Sequence, residues 1–250
     1  IRIKTLKKRK FVNPILICGI PGSGYVGKLA VDHLLNEYEA TTICEIQSDL
    51  FPPQISTNNG IIENMSNTIH HIKTKKPRND ILILTGDTQP ITERGNYIVT
   101  EKILEYAQNL GIKKIFTLAA YITGEFVKEP RVFGAATKKK HVKTLKKYGI
   151  NIMNQGMITG MNGILIGTAK IRDIEGYSLL GETSGYMIDP NSARAVLESL
   201  NKILKMEINL EKLTDKIDES NELMNQVEGM KSKTEGIEYS NRDNSSQYIN

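Results

Sequence analysis

Cysteine is scarce in this chain: Cys18 and Cys44 are the only two among 250 residues, and both fall inside apolar, strand-like runs. Two thiols so placed argue against a disulfide framework and point to buried free cysteines in a reducing, cytoplasmic setting. Long apolar runs are missing as well. None approaches the roughly 20 residues that a membrane helix needs, so no membrane partner is expected. The basic start and the apolar stretch Phe11–Ile20 do not make a secretory leader. Asn13-Pro14 interrupts the stretch, and glycines stand where a small-residue cleavage site would be. Signatures of catalysis are equally absent: no Gly-x-Ser-x-Gly, no His-Glu-x-x-His, no cluster of Cys and His. His70 and His71 are neighbours on a strand-like run and point to opposite faces, which excludes a shared metal ion. The sequence demands no metal and no cofactor.

Charge of one sign is concentrated rather than spread. The net charge of +5 looks like a nucleic-acid signal until it is located. Residues 1–10 carry six positive charges and no acid, whereas 211–250 carry nine acids and five bases, so the middle is only mildly basic. A short basic arm at 1–10 reads as a solvated end, and nucleic acid is not an expected partner. The lysines and His141 of the segment Lys138–Tyr148 read in the same way, as a wet surface.

What the chain does have is a glycine loop. Gly19-Ile20-Pro21-Gly22-Ser23-Gly24-Tyr25-Val26-Gly27-Lys28 follows the apolar run Ile15–Cys18 and opens a helical pattern. Such a loop presents backbone N–H groups at a helix start, where an anion is welcome. Gly22, Gly24 and Gly27 satisfy the dinucleotide fingerprint, with Glu45 about where a ribose-binding acid would stand. Gly22, Gly27 and Lys28 match most of a P-loop, but Leu29 occupies the Ser/Thr position that holds Mg²⁺. The alternative is that the glycines only let the helix pack tightly on the first strand. Asp87, Glu182 and Ser184, with Ser23, are the other loop residues that could serve a ligand at the same edge, and Asp189 reads as a helix cap.

Val26, Ala30, His33, Leu34 and Tyr38 repeat at three and four and predict a helix. Thr41–Ile46, Thr68–Lys73, Ile81–Leu84, Ile115–Tyr121 and Gly176–Leu180 predict strands, and Asn58-Asn59-Gly60 predicts a hairpin between 55 and 65. Helices follow to Leu110, over Lys138–Tyr148 and from Asp189-Pro190 onward, where Ala193, Val196, Leu197, Leu200, Ile203 and Leu204 form a buried stripe. Strands alternating with helices, without strict polar alternation, predict an α/β class: a three-layer α/β/α sandwich over residues 11–208. Leu210, Leu213, Ile217, Met224 and Val227 keep an intermittent helical spacing, so 209–230 reads as a weak helix able to oligomerise or dock. Residues 231–250 read as a flexible tail.

Six motifs, read in order, resemble the proteasome assembly chaperone family in its archaeal form. They are Gly19–Gly24, Phe51-Pro52-Pro53-Gln54, Leu84–Pro90, Tyr121–Gly124, Gly160-Met161-Asn162-Gly163 and Leu180–Tyr186. The resemblance implies an α/β/α fold shaped like that of nucleoside phosphorylases, no established catalysis, homo-oligomers with room for a paralogue, and binding to proteasome α subunits or the core particle. It also implies a C-terminal hydrophobic–Tyr–any-residue motif that enters pockets between α subunits. Here the last residues are Gln247, Tyr248, Ile249 and Asn250. Gln247 replaces the hydrophobic residue, and the carboxylate lies one residue, about 3.5 Å, too far along. The resemblance therefore implies a non-enzymatic chaperone or core-particle activator that binds through an oligomeric body and its tails. A nucleotide- or nucleoside-binding enzyme or sensor using residues 19–28 is the competing expectation.

Overall fold

A computed structural model describes residues 1–73, 79–213 and 217. The elements in chain order are β1 (Arg2–Thr5), β2 (Ile15–Cys18), α1 (Val26–Glu37), β3 (Ala40–Gln47), β4 (Ile55–Asn58), β5 (Ile61–Asn64) and β6 (Asn67–Ile72). They continue with β7 (Ile81–Gly86), α2 (Glu93–Asn109), β8 (Lys114–Ile122), β9 (Val132–Ala136), α3 (Lys139–Lys147), β10 (Asn151–Ile152), α4 (Gly160–Ile171), β11 (Glu175–Thr183) and α5 (Pro190–Leu204).

Nine strands form one sheet in the order β1-β3-β6-β7-β2-β8-β11-β9-β10, and β4 and β5 make a separate two-stranded ribbon. The four central strands β7, β2, β8 and β11 are parallel, with Ile15 opposite both Ile81 and Lys114. They read as continuous apolar runs because both faces are covered. Ile15, Ile17, Ile81, Ile83, Phe116 and Leu118 point into one core with Leu34 of α1 and Leu197 of α5. Leu16, Cys18, Leu82, Leu84 and Ile115 point into the other, with Ile103 of α2 and Leu165 of α4. The side-chain period of two along each strand thus feeds two cores at once, which makes the α/β/α sandwich. Phe116 stacks on Tyr177 inside the first core, with ring centroids 4.8 Å apart.

Caps set the helix starts. Asp189 accepts a hydrogen bond from the Ser192 N–H at 2.9 Å, with Pro190 in the first turn of α5. Thr92 does the same for α2 through the Gly95 N–H at 3.0 Å.

Two expectations change. The basic start does not stand off as an arm: Arg2–Thr5 joins the sheet as an antiparallel edge strand on β3. Charged side chains at an edge are compatible with pairing on one side only. The segment after α5 also folds back on the body. Met206, Ile208, Leu213 and Ile217 are buried in the α1/α5 core, and the Asn209 carbonyl lies 2.7 Å from His33 Nε2. The beginning of the 209–230 segment is therefore core covering. The rest of that segment and the tail 231–250, with Gln247, Tyr248, Ile249 and Asn250, lie outside the described residues. The strands β9 and β10 were not expected from the sequence; β9 is five residues long with Gly134 at its centre.

Candidate functional site

The carboxyl ends of β2, β8 and β11 open on a cavity of about 520 Å³. Open parallel sheets place their ligands at such an edge. Its floor and walls are Ile20, Ala119, Leu180 and Asn162, and its mouth is made by Ser23, Ile122 and the loop 153–159. The lining contains no Asp, Glu, Lys, Arg or His.

Local packing explains most of the glycine loop. A Cβ on Gly19 would stand 2.1 Å from the Gly27 carbonyl oxygen, and a Cβ on Gly27 would stand 2.0 Å from that of Leu118. These two glycines let the first turn of α1 press on the β2–β8 seam. Gly24 has φ of 61°, a left-handed backbone that glycine takes without strain, and its carbonyl accepts from the Asp189 N–H at 2.9 Å. Only Gly22 and Ser23 face the cavity without such a packing duty.

The side chain of Gln89 ties the mouth together. Its Nε2 donates to the Pro21 carbonyl at 2.5 Å, and its Oε1 accepts from the Met161 N–H at 2.8 Å. The second bond takes one of the free N–H groups at the start of α4, the place where an anion would otherwise sit. Asn162 donates to the Leu118 carbonyl at 3.3 Å and accepts from Cys18 Sγ at 3.4 Å, which braces α4 against β2 and β8. Burial of Cys18 pushes its thiol well above the ordinary range, so it is not a nucleophile in waiting.

The other expected ligand residues are engaged elsewhere. Lys28 pairs with Asp32 at 2.5 Å on the same helix. Glu45 lies on β3, three strands from β2 and thus roughly 14 Å away, where Gln47 Nε2 donates to it at 2.7 Å. Asp87 accepts from the Ser66 N–H at 3.0 Å and ties β6 to β7. Glu182 is buried and receives Arg131 bidentately, Nε at 2.9 Å and Nη2 at 2.6 Å, with the Arg131 N–H at 3.1 Å. Those Arg131 hydrogen bonds hold the Glu182 carboxyl below the usual carboxylate range. Ser184 is buried and accepts from the Tyr186 N–H at 3.4 Å. Asp189 is pulled the other way: burial raises its pKa, against the hydrogen bonds it accepts.

The structure therefore brings together Gly22, Ser23 and Gly27, and leaves Lys28, Glu45, Asp87, Glu182 and Ser184 in separate hydrogen-bond pairs. Gln89, Tyr121, Met153 and Met157 line the same cavity and were not among the expected site residues. Gln89 stood in a quoted motif; the methionines carried no signal, since their loop has neither period nor charge. Chemically the arrangement can hold an uncharged group. It offers no general acid or base beyond a tyrosine, and no cation for a phosphate.

Among the described residues, none of the helices is long and apolar enough to cross a membrane, and no group of acids, His and Cys could hold a metal.

Comparison with known proteins places this body. The model of the PAC2 family matches residues 16–228. An uncharacterised protein of Methanocaldococcus jannaschii, MJ1210, is 37% identical over 203 residues, covering 80% of this chain and 78% of that one. The crystal structure of Pyrococcus furiosus PbaB, described as an archaeal proteasome activator, superposes with a TM-score of 0.85 at 35% identity, covering 91% and 98% of the two chains. Pyrococcus furiosus PbaA, described as an archaeal homologue of proteasome-assembly chaperone, superposes with a TM-score of 0.73 at 26% identity over 99% of each. The six motifs, the sandwich and these likenesses agree, and the chain belongs to the PAC2 family, the proteasome assembly chaperone family in its archaeal form.

Proposed function

We propose that the protein is a non-enzymatic chaperone or activator of the proteasome core particle, cytoplasmic and homo-oligomeric, which binds α subunits through its body and its C-terminal tails. The observation that carries this reading is the likeness to PbaB over nearly the whole of both chains. An uncharged cavity, with the carboxylates of Asp87 and Glu182 already hydrogen-bonded, supports a body that binds rather than reacts.

Affinity in this reading comes from number. One tail buries few side chains and, after the loss of its freedom, binds weakly alone. Several tails on one oligomer raise the effective concentration of each into the millimolar range. Tyr248 is the anchor of each tail in this reading, in a register shifted by one residue from the family's motif.

Co-sedimentation with a cognate core particle tests the proposal, using the full chain and a version ending at Ser246. The full chain is expected to pellet with the particle and the shortened one to lose most binding. Binding by neither rejects the proposal. Equal binding by both leaves a body that binds and removes Tyr248 from the mechanism.

A further inference from the structure

The β4–β5 ribbon stands apart from the sheet, and every residue of its two strands except Ser56 is exposed. A lone two-stranded ribbon is marginal in water, and apolar side chains on it gain nothing from the body. Yet Ile55, Ile61 and Ile62 are 53%, 67% and 66% exposed. The register puts Thr57 opposite Ile62 and Ile55 opposite Asn64, so Ile55, Thr57, Ile62 and Asn64 share one face. That face is uncharged. Glu63, the one charged residue between 55 and 64, lies on the other.

The neutral cavity at the ends of β2, β8 and β11 is the matching half. Its own ribbon contributes nothing to its lining, and its mouth carries Ile122 and Met157 at 60% and 87% exposure. Tyr186, 76% exposed, follows Gly185, where an added Cβ would meet Ile122 at 3.1 Å. A charged partner would lose its hydration in this mouth with no counter-charge to replace it, whereas an uncharged aliphatic face would not. Methionines such as Met153 and Met157 adapt to the shape of an incoming side chain.

We infer that the Ile55/Ile62 face of the ribbon seats in the cavity mouth of a second copy of this chain, so that each copy gives one ribbon and receives one. Such a contact joins two different patches, and repeated head to tail it forms a ring where the rotation between copies closes. The inference rests on the homo-oligomer in the proposed function and names its interface.

Cross-linking tests it in the full chain. The native thiols do not interfere: Cys18 and Cys44 are buried, and burial pushes the Cys44 thiol up to about 11. Ile62→Cys and Met157→Cys together are expected to form disulfide-linked multimers on mild oxidation, seen as a ladder on non-reducing gels, and each alone is not. Ile55→Lys with Ile62→Lys, both at exposed positions of that face, is expected to reduce the mass in light scattering to that of a monomer with an unchanged circular dichroism spectrum. An oligomeric wild type without the intermolecular ladder overturns the seating, whatever the lysine variant does, and leaves the proposed function standing. A ladder with the lysine variant still fully assembled overturns the claim that the ribbon holds the oligomer together. A monomeric wild type overturns both the inference and the oligomer on which it rests.

Discussion

Replacing Gly27 with alanine is expected to lift α1 from the sheet. The added Cβ would lie 2.0 Å from the Leu118 carbonyl oxygen and 2.9 Å from its carbon, and both belong to the backbone of β8 in the middle of the sheet. A flexible side chain could swing aside; a central strand cannot. The first turn of α1 must therefore retreat by more than 1 Å to reach an ordinary contact of 3.4 Å. That retreat opens the contacts of Val26, Ala30 and Val31, all fully or nearly fully buried. Overpacking a core commonly costs about 1–3 kcal/mol, and a rigid obstacle puts this substitution at the upper end. At about 2–4 °C per kcal/mol for a chain of this size, the melting temperature should fall by roughly 6–12 °C. Gly22→Ala is the control. Its Cβ would meet only Gln89 Nε2 at 3.8 Å and the Ile20 carbonyl at 3.9 Å, and its φ of −167° is extended backbone open to any residue. It should leave stability within about 0.5 kcal/mol. Thermal and urea unfolding followed by circular dichroism measure both. If Gly27→Ala melts with the wild type, the reasoning that the fingerprint glycines serve packing is refuted.

Asp189→Ala should cost about 0.5–2 kcal/mol by removing the cap on Ser192, while Asp189→Asn should keep most of it, as urea unfolding will tell. Glu182→Gln should destabilise the fold at neutral pH. Because Arg131 lowers the folded-state pKa of Glu182, its contribution is present above the unfolded value of about 4.3 and is lost as pH falls through the lower folded value. The melting curves of variant and wild type should therefore draw together below about pH 4. Nucleotides should not stabilise the protein: a ligand bound with a dissociation constant of about 10 μM would add about 2.7 kcal/mol at about 1 mM, and thermal shift against ATP and NAD should read none of it.

Some of this was legible in the sequence for definite reasons. Ile81–Leu84 is apolar without alternation because both of its faces are buried, and that pattern alone calls for a covered parallel sheet. Asp189-Pro190 marked a helix start because capping is a local matter, decided within four residues. Most of the family motifs lie where strands end or helices begin. The site was less legible. Gly22-x-Gly24-x-x-Gly27 permits close backbone approach, but whether a phosphate or the Leu118 carbonyl approaches depends on a strand some 90 residues further on. Glu45 has the right spacing for a ribose and the wrong place, because its strand pairs with β1 and β6 instead of β2.

By itself, then, the sequence determined what repeats and what caps: the α/β class, most helices, the hairpin turn and the family. The class, the helices and the turn follow from periods of 2 and 3.6 and from backbone chemistry, which act over a few residues, whereas the family rests on the resemblance of six motifs. Only the tertiary structure decided that the basic start is an edge strand, that Leu213 and Ile217 cover α1 and α5, that Glu182 is held by Arg131, and that an uncharged cavity faces the glycine loop. Each of these joins residues tens of positions apart. A pairing across such a distance is selected by the free energy of the whole packed body, and no local pattern in the chain records it.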